Sequence, residues 1–288
     1  GMKVEVNKET GTITLTQGAY LERLLTRFSM DTATSEKAPA KERLSKADQP
    51  STAEDKAEMS KVPYRECIGA LQYLAVLTRP DIVFAVNQCS RFLGNPGKKH
   101  WQGAKTILRY LKGTSEHGLM FKKMEEGTGE DAILGFSDSD WAGDPDDRRS
   151  CSGYVFSLFG NVVSWKSKKQ ATTALSSCES ELMALSMAMK EALWLRTLAV
   201  ELGIHSPSDP ILLYEDNQGA MAIANDAKFS DRTKHIDVRY FRIRDEVRNK
   251  TIRLQYCHTS QMMADTFTKP LQGEVFKNIK ALLKMATP

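Results

Sequence analysis

No stretch of this 288-residue chain approaches the roughly 18 uninterrupted apolar residues that a membrane span requires. The N-terminus also lacks the basic segment and apolar core of a secretory signal. We therefore expect an intracellular protein, in a cytoplasmic particle or the nucleus, that is not secreted. The start Gly-Met-Lys suits a piece of a longer chain. Cysteine is sparse: the five residues, at 67, 89, 151, 178 and 257, are odd in number and include no CxxC pair. That pattern fits reduced thiols rather than a disulfide framework, and it argues against a zinc-type hydrolase. A strong charge of either sign is missing too. The formal net charge of +4 permits a nucleic-acid partner without arguing for one. What remains, 41% apolar and 26% charged residues, is enough for one or two cores.

Alternation of Val4, Val6, Ile13 and Leu15 around Thr10-Gly11 predicts a hairpin over 3–15, and Tyr20 to Phe28 repeats with helical spacing. Residues 31–62 contain no aromatic side chain and read as a flexible linker, too poor in apolar groups to offset their ordering entropy. Three helices are expected over 64–112, and the Glu/Gly run at 125–130 marks a boundary. Beyond it the periodicity changes. Strands are expected at 132–138, 153–159, 161–166, 211–214 and 251–257. Helices are expected at 176–202, 217–225, 235–249, 261–268 and 272–285. The order is that of a mixed α/β domain with at least one parallel crossover.

Four acids occupy telling positions in that order. Asp138 ends the first of these strands, Glu181 lies in the first turns of the long helix, Asp216 follows the apolar strand 211–214, and Asp265 begins a late helix. Functional groups of an open α/β sheet gather at strand ends and adjoining helix starts, so the four are expected in one cleft. Such hard oxygen ligands suit Mg²⁺ or Mn²⁺, and two ions about 4 Å apart suit phosphodiester hydrolysis. Taken singly, each acid reads more simply as a turn, dipole or capping residue. Asp140 and Glu179 are the close competitors. Glu179 and Glu181 project about 200° apart on a helix, so only one can face the cleft.

Ordered blocks then carry a resemblance. They begin with Tyr64-Arg65-Glu66-Cys67-Ile68-Gly69-Ala70-Leu71 and Thr78-Arg79-Pro80-Asp81-Ile82. Next come Gly135-Phe136-Ser137-Asp138-Ser139-Asp140-Trp141-Ala142-Gly143-Asp144 and Arg149-Ser150-Cys151-Ser152-Gly153-Tyr154. Ser164-Trp165-Lys166-Ser167-Lys168-Lys169-Gln170, Ala174-Leu175-Ser176-Ser177-Cys178-Glu179-Ser180-Glu181 and Glu215-Asp216-Asn217-Gln218 follow. Arg232-Thr233-Lys234-His235-Ile236-Asp237 and Ala264-Asp265-Thr266-Phe267-Thr268-Lys269-Pro270-Leu271 complete the series. Together these resemble the end of a Ty1/copia-type retrotransposon Pol polyprotein. The resemblance implies a ribonuclease H-like, mixed five-stranded sheet at 131–271 with flanking helices, preceded by a small, mainly helical region and followed by a helix at 272–288. It further implies an Asp-Glu-Asp-Asp site for two Mg²⁺ ions, with Mn²⁺ as a substitute, acting on RNA–DNA hybrids. Residues 1–30 and 63–123 then correspond to reverse-transcriptase palm, thumb and connection pieces. The family's Tyr-x-Asp-Asp polymerase motif is missing, so DNA synthesis by this chain alone is not expected. Other departures are Cys178, where Thr is usual, and Phe241-Arg242, where a His is common after Tyr240.

Basic side chains are candidates for phosphate contact: Arg148, Arg149, Lys166, Lys168, Lys169, Arg232, Lys234 and His235. A solvated hairpin edge explains the lysines equally well. His258 follows the last strand, where related nucleases carry a loop His; a structural role is the simpler reading. Trp141 and Trp165 read as core. The reading from another class is a catalytically silent retroelement remnant serving as a nucleic-acid-binding or scaffold module.

Overall fold

The computed structural model describes residues 1–123, 131–225 and 237–286. The chain divides into two compact units. One comprises Gly1–Lys122, Asp144–Asp147 and Lys269–Pro288; the other comprises Lys123–Gly143 and Arg148–Thr268.

In the first unit, β1 (Lys3–Asn7) and β2 (Thr12–Thr16) form the expected hairpin. The Asn7 side chain accepts from the Glu9 and Thr10 N–H groups, and Gly11 takes the left-handed conformation that closes the turn. Helices α1 (Gly18–Arg27), α2 (Ala53–Ser60), α3 (Tyr64–Leu77), α4 (Val83–Ser90) and α5 (Lys98–Lys112) follow. Leu21, Leu24, Leu71, Leu74, Ile107 and Leu108 are among the buried side chains of one shared core. The sequence reading is corrected at residues 31–62. This stretch is no featureless linker, because Ala38 and Leu44 enter the core and α2 spans Ala53–Ser60. Polar groups supply the rest of its anchoring. Ser45 caps a short 3₁₀ turn at Lys46–Asp48, and His100 bridges the Gly97 N–H and the Ser45 carbonyl oxygen.

Two further corrections concern strands. β3 (Gly118–Lys122) pairs with β2 inside the region read as mainly helical. The C-terminal helix α9 stops at Gly273–Leu282, and the chain then adds β9 (Met285–Ala286) beside β3. The Thr78-Arg79-Pro80-Asp81 block is structural here. Arg79 is buried and donates to Asp81 Oδ1 and Oδ2 at 2.9 and 2.8 Å and to the Thr114 carbonyl at 2.9 Å. Tyr110 adds a 2.5 Å donation to Asp81 Oδ2.

The second unit contains β4 (Ile133–Asp140), β5 (Cys151–Leu158), β6 (Asn161–Lys169), α6 (Ser177–Glu201), β7 (Ile211–Glu215), α7 (Gln218–Asn225), α8 (Asp237–Arg248) and β8 (Ile252–Tyr256). The sheet order is β6-β5-β4-β7-β8. The first three strands run antiparallel, while β7 and β8 run parallel to β4. This is the mixed five-stranded ribonuclease H-like arrangement expected from the sequence. Leu182, Leu185, Ala188, Met189 and Ala192 form the buried stripe of α6. Residues 261–268 are not a regular helix: 3₁₀ turns occupy Thr259–Gln261 and Met263–Phe267. Two close approaches require glycine. A Cβ at Gly135 would lie 2.3 Å from Phe156, and one at Gly153 would lie 2.7 Å from the Phe267 Cβ. Trp141, read as core, is 50% exposed and donates its indole N–H to the Ala174 carbonyl oxygen.

Candidate active site

The parallel pairing of β4 with β7 sets the site. Leu134, Gly135 and Phe136 are level with Leu212, Leu213 and Tyr214, an offset of 78 residues, and that register carried two positions further puts Asp138 level with Asp216. The Phe136 and Tyr214 rings stack with centroids 4.8 Å apart, immediately before the two acids. Ser176 caps α6 by accepting from the Glu179 N–H, and the Glu179 carboxylate accepts from the Leu175 N–H at 2.6 Å. Glu179 is thereby engaged at the helix start. Glu181, two residues on, is buried and joins the cluster. Ligand atoms of Asp138, Glu181 and Asp216 lie within 4.8 Å of one another. Asp140 is outside that trio; its carboxylate lies over Gly143, where a Cβ would meet it at 1.7 Å.

Asp265 also stands outside the trio, although it is buried in the adjacent 3₁₀ turn. That turn is tied to the cluster by the Thr268 hydroxyl, which donates to Asp138 Oδ2 and lies 3.2 Å from the Asp265 carbonyl oxygen. Thr259 donates to Asp216 Oδ2 at 2.8 Å. Its neighbour His258 is exposed, and Nδ1 accepts from the Ser260 N–H. One ring nitrogen of His258 is therefore occupied in capping the loop.

Glu215 is the acid that sequence reading passed over. It shares the buried face of β7 with Ile211 and Leu213 and is fully buried. Its Oε1 accepts from the Asn217 N–H at 3.3 Å, while Oε2 has no hydrogen-bond partner among the described residues. Glu181 Oε2 is likewise buried without one. Burial pushes the Glu181 carboxyl up to about 11, with further contributions from Glu215, Asp138 and Asp216. Burial also raises the Glu215 carboxyl well above the carboxylate range, followed by the charge of Asp138. Burial, then Asp216 and Asp265, pushes the Cys257 thiol up to about 11. A buried set of hard oxygens with unsatisfied acceptors, repelling one another, fits a divalent cation.

Among the basic candidates, Arg148, Lys166 and Lys168 are exposed, and Arg149 and Lys169 are partly buried. Lys168 and Lys169 line a cleft beside α6, which Lys190 joins. Arg232, Lys234 and His235 lie outside the described residues.

No protein-family model matches the chain. Similarity to curated proteins is found instead. The chain is 41% identical over 288 residues to the retrovirus-related Pol polyprotein from transposon TNT 1-94 of Nicotiana tabacum, covering 99% of this chain and 21% of that protein. The chain is a homologue of copia-type Pol polyproteins. A second such homologue, from transposon RE1 of Arabidopsis thaliana, is 37% identical over 276 residues, covering 96% of this chain and 18% of its own length. The chain thus spans about a fifth of the length of these two relatives. Among solved structures, LC11-RNase H1, isolated from compost, matches at 14% identity with a TM-score of 0.37, covering 48% of this chain and 94% of that one. No helix among the described residues is long and apolar enough to cross a membrane.

Proposed function

We propose that the second unit is a divalent-metal-dependent ribonuclease H that hydrolyses the RNA strand of RNA–DNA hybrids. The observation that carries this reading is the trio of buried Asp138 and Glu181 with half-buried Asp216, with ligand atoms within 4.8 Å and an orphaned Glu181 Oε2. Asp138, Glu181 and Asp216 would hold Mg²⁺, or Mn²⁺ in its place, with Asp265 as the fourth carboxylate of a two-ion site. Bound there, the metal supplies an activated water and neutralises charge on the phosphodiester. Thr268 and Thr259 fix the Asp138 and Asp216 carboxylates by donating to them. Glu181, whose carboxyl burial and the neighbouring acids push up to about 11, would have to lose its proton to serve as a ligand. Arg148, Arg149, Lys166, Lys168, Lys169, Arg232, Lys234 and His235 are assigned to backbone phosphates. RNA is distinguished by its 2′-hydroxyls and the hybrid's shape rather than by sequence.

Residues 1–30 and 63–123 are assigned to palm, thumb and connection remnants. The rest of the reverse transcriptase is the partner this assignment implies, and no polymerase activity is expected from this chain. The test is cleavage of a labelled RNA–DNA hybrid with Mg²⁺, beside EDTA and Asp216→Asn controls. Cutting of the RNA strand alone, lost in both controls, supports the nuclease. No cutting in Mg²⁺ or Mn²⁺ by the folded protein favours a catalytically silent nucleic-acid-binding or scaffold remnant.

A further inference from the structure

On the face of the central sheet that α6 covers, three oxygen atoms are buried without a hydrogen-bond partner among the described residues: Ser137 Oγ, Glu181 Oε2 and Glu215 Oε2. Ser137 and Glu215 are 0% exposed and Glu181 is 5% exposed. Alternation along β4 puts Ser137 in phase with Gly135, which abuts Phe156 and Leu213, and with Ser139, whose hydroxyl donates to Ser180 Oγ of α6 at 2.7 Å. The β4–β7 register, carried one position past Phe136 and Tyr214, sets Ser137 level with Glu215. Level residues of paired strands share a face, and Glu215 is in phase with Ile211 and Leu213 of the core beneath α6. Glu181 reaches this place from α6 itself. After burial, Glu215 is the neighbour that acts most strongly on its carboxyl.

Protein groups alone do not satisfy this arrangement. The Ser137 hydroxyl has one proton to give, which leaves the second carboxylate and the repulsion between the two uncompensated. Glu215 is held where it is, because its Oε1 accepts from the Asn217 N–H at 3.3 Å and β7 lies between β4 and β8. After burial, the charges that act most strongly on both carboxyls are those of other acids. Two carboxylates and a hydroxyl are hard oxygen donors, a set that suits Mg²⁺ or Mn²⁺, and one cation would engage all three orphaned atoms together.

We propose that Ser137, Glu181 and Glu215 form an inner divalent-cation seat on the α6 face of the sheet, in addition to the ions held by the trio and Asp265. The proposal rests on the metal-site reading above and shares Glu181 with it. Asp138 and Asp216 are in phase with Phe136 and Tyr214, which pack against Cys257, Met262 and Ala264 on the other face. Glu181 is therefore the one carboxylate common to both positions. A cation in the inner seat neutralises Glu215 and steadies Glu181 as a ligand for the outer site.

In the experiment, Mn²⁺ is titrated into the full chain without nucleic acid. The free ion is followed by its electron paramagnetic resonance signal, which counts the bound ions and gives their affinities. Wild type is expected to take up one ion more than Glu215→Gln, whose amide oxygen still accepts from the Asn217 N–H, and the ions that remain should keep their wild-type affinity. Ser137→Ala should weaken the same ion by at least about tenfold, the lower end of what a metal site loses with a supporting partner. Glu181→Gln, at the shared position, should weaken both classes of ion. Far-UV circular dichroism checks that each variant is folded, and Ser137→Ala carries the test if Glu215→Gln is not. Wild-type number and affinity in both Glu215→Gln and Ser137→Ala, with binding weakened in Asp216→Asn, would overturn the inner seat alone. Equal weakening of every ion by Glu215→Gln, with none lost, would overturn it as well. Absence of Mn²⁺ uptake by wild type would overturn the metal-site reading and the seat with it.

Discussion

Replacing Glu181 with Gln should abolish hybrid cleavage yet make the metal-free protein more stable. In the unfolded chain this carboxyl ionises near its ordinary value of 4.5, whereas in the fold burial and its acidic neighbours hold it protonated up to about 11. A raised folded pKa contributes stability that is complete below pH 4.5 and is lost progressively as pH rises towards the folded value. Each pH unit in that window costs the fold about 1.4 kcal/mol, so at about pH 7.5, three units above the unfolded value, the cost is about 4 kcal/mol. Glutamine has nearly the same shape and no charge to lose. Glu181→Gln should therefore exceed wild type by up to about 4 kcal/mol in EDTA at that pH, and the gap should close as pH falls to about 4.5. Urea unfolding followed by tryptophan fluorescence measures it, because Trp141, Trp165 and Trp194 lie in the unit that carries the acids. A variant less stable than wild type at about pH 7.5, or a difference that does not change with pH, would refute the claim that burial and the neighbouring acids hold this carboxyl protonated.

Three further outcomes follow from the geometry. Mg²⁺ should stabilise wild type by about 2.7 kcal/mol at a hundred times its dissociation constant and so raise the unfolding midpoint, and Asp216→Asn should lose most of that response in thermal scans with and without EDTA. Gly153→Ala would set a Cβ 2.7 Å from the Phe267 Cβ and 2.8 Å from Thr268 Cγ2. It should cost about 1–3 kcal/mol in urea unfolding and lower cleavage by shifting the turn that carries Asp265. Asp81→Ala would leave the buried Arg79 guanidinium without its 2.8 Å partner. A loss of about 3–5 kcal/mol is expected in the unfolding of the first unit, read through Trp101.

The parts of the fold that could be read in advance are those whose signal is local. Ile211-Leu212-Leu213 is a continuous apolar run, Ser176 caps α6, and Asp138, Glu181 and Asp216 stand at element ends, so their convergence followed from element order. The 31–62 stretch was illegible because its anchors are distant in sequence. Ser45 meets Asp146, 101 residues away, and His100, 55 residues away, and no local periodicity records either contact. β9 is two residues long, too short for alternation to register. Glu215 went unnoticed because a charged residue at the end of an apolar strand ordinarily reads as the strand's exit into solvent. Its burial depends on β7 lying between β4 and β8, which is a tertiary fact.

The stacked pair Phe136 and Tyr214 has a role that neither ring suggests alone. Between β4 and β7 the chain runs through β5, β6 and α6, so no tight turn dictates which residue of one strand faces which residue of the other. A slip of a single position would carry Asp216 past Asp138 and turn alternate side chains to the wrong face. Two flat rings fitted against each other two residues upstream resist such a slip, because every neighbouring alignment separates them. They act as an alignment key, gauging the gap between two acids that the sequence holds 78 positions apart. Trimming either ring to alanine should therefore appear first as weakened metal affinity, before any marked loss of folded protein.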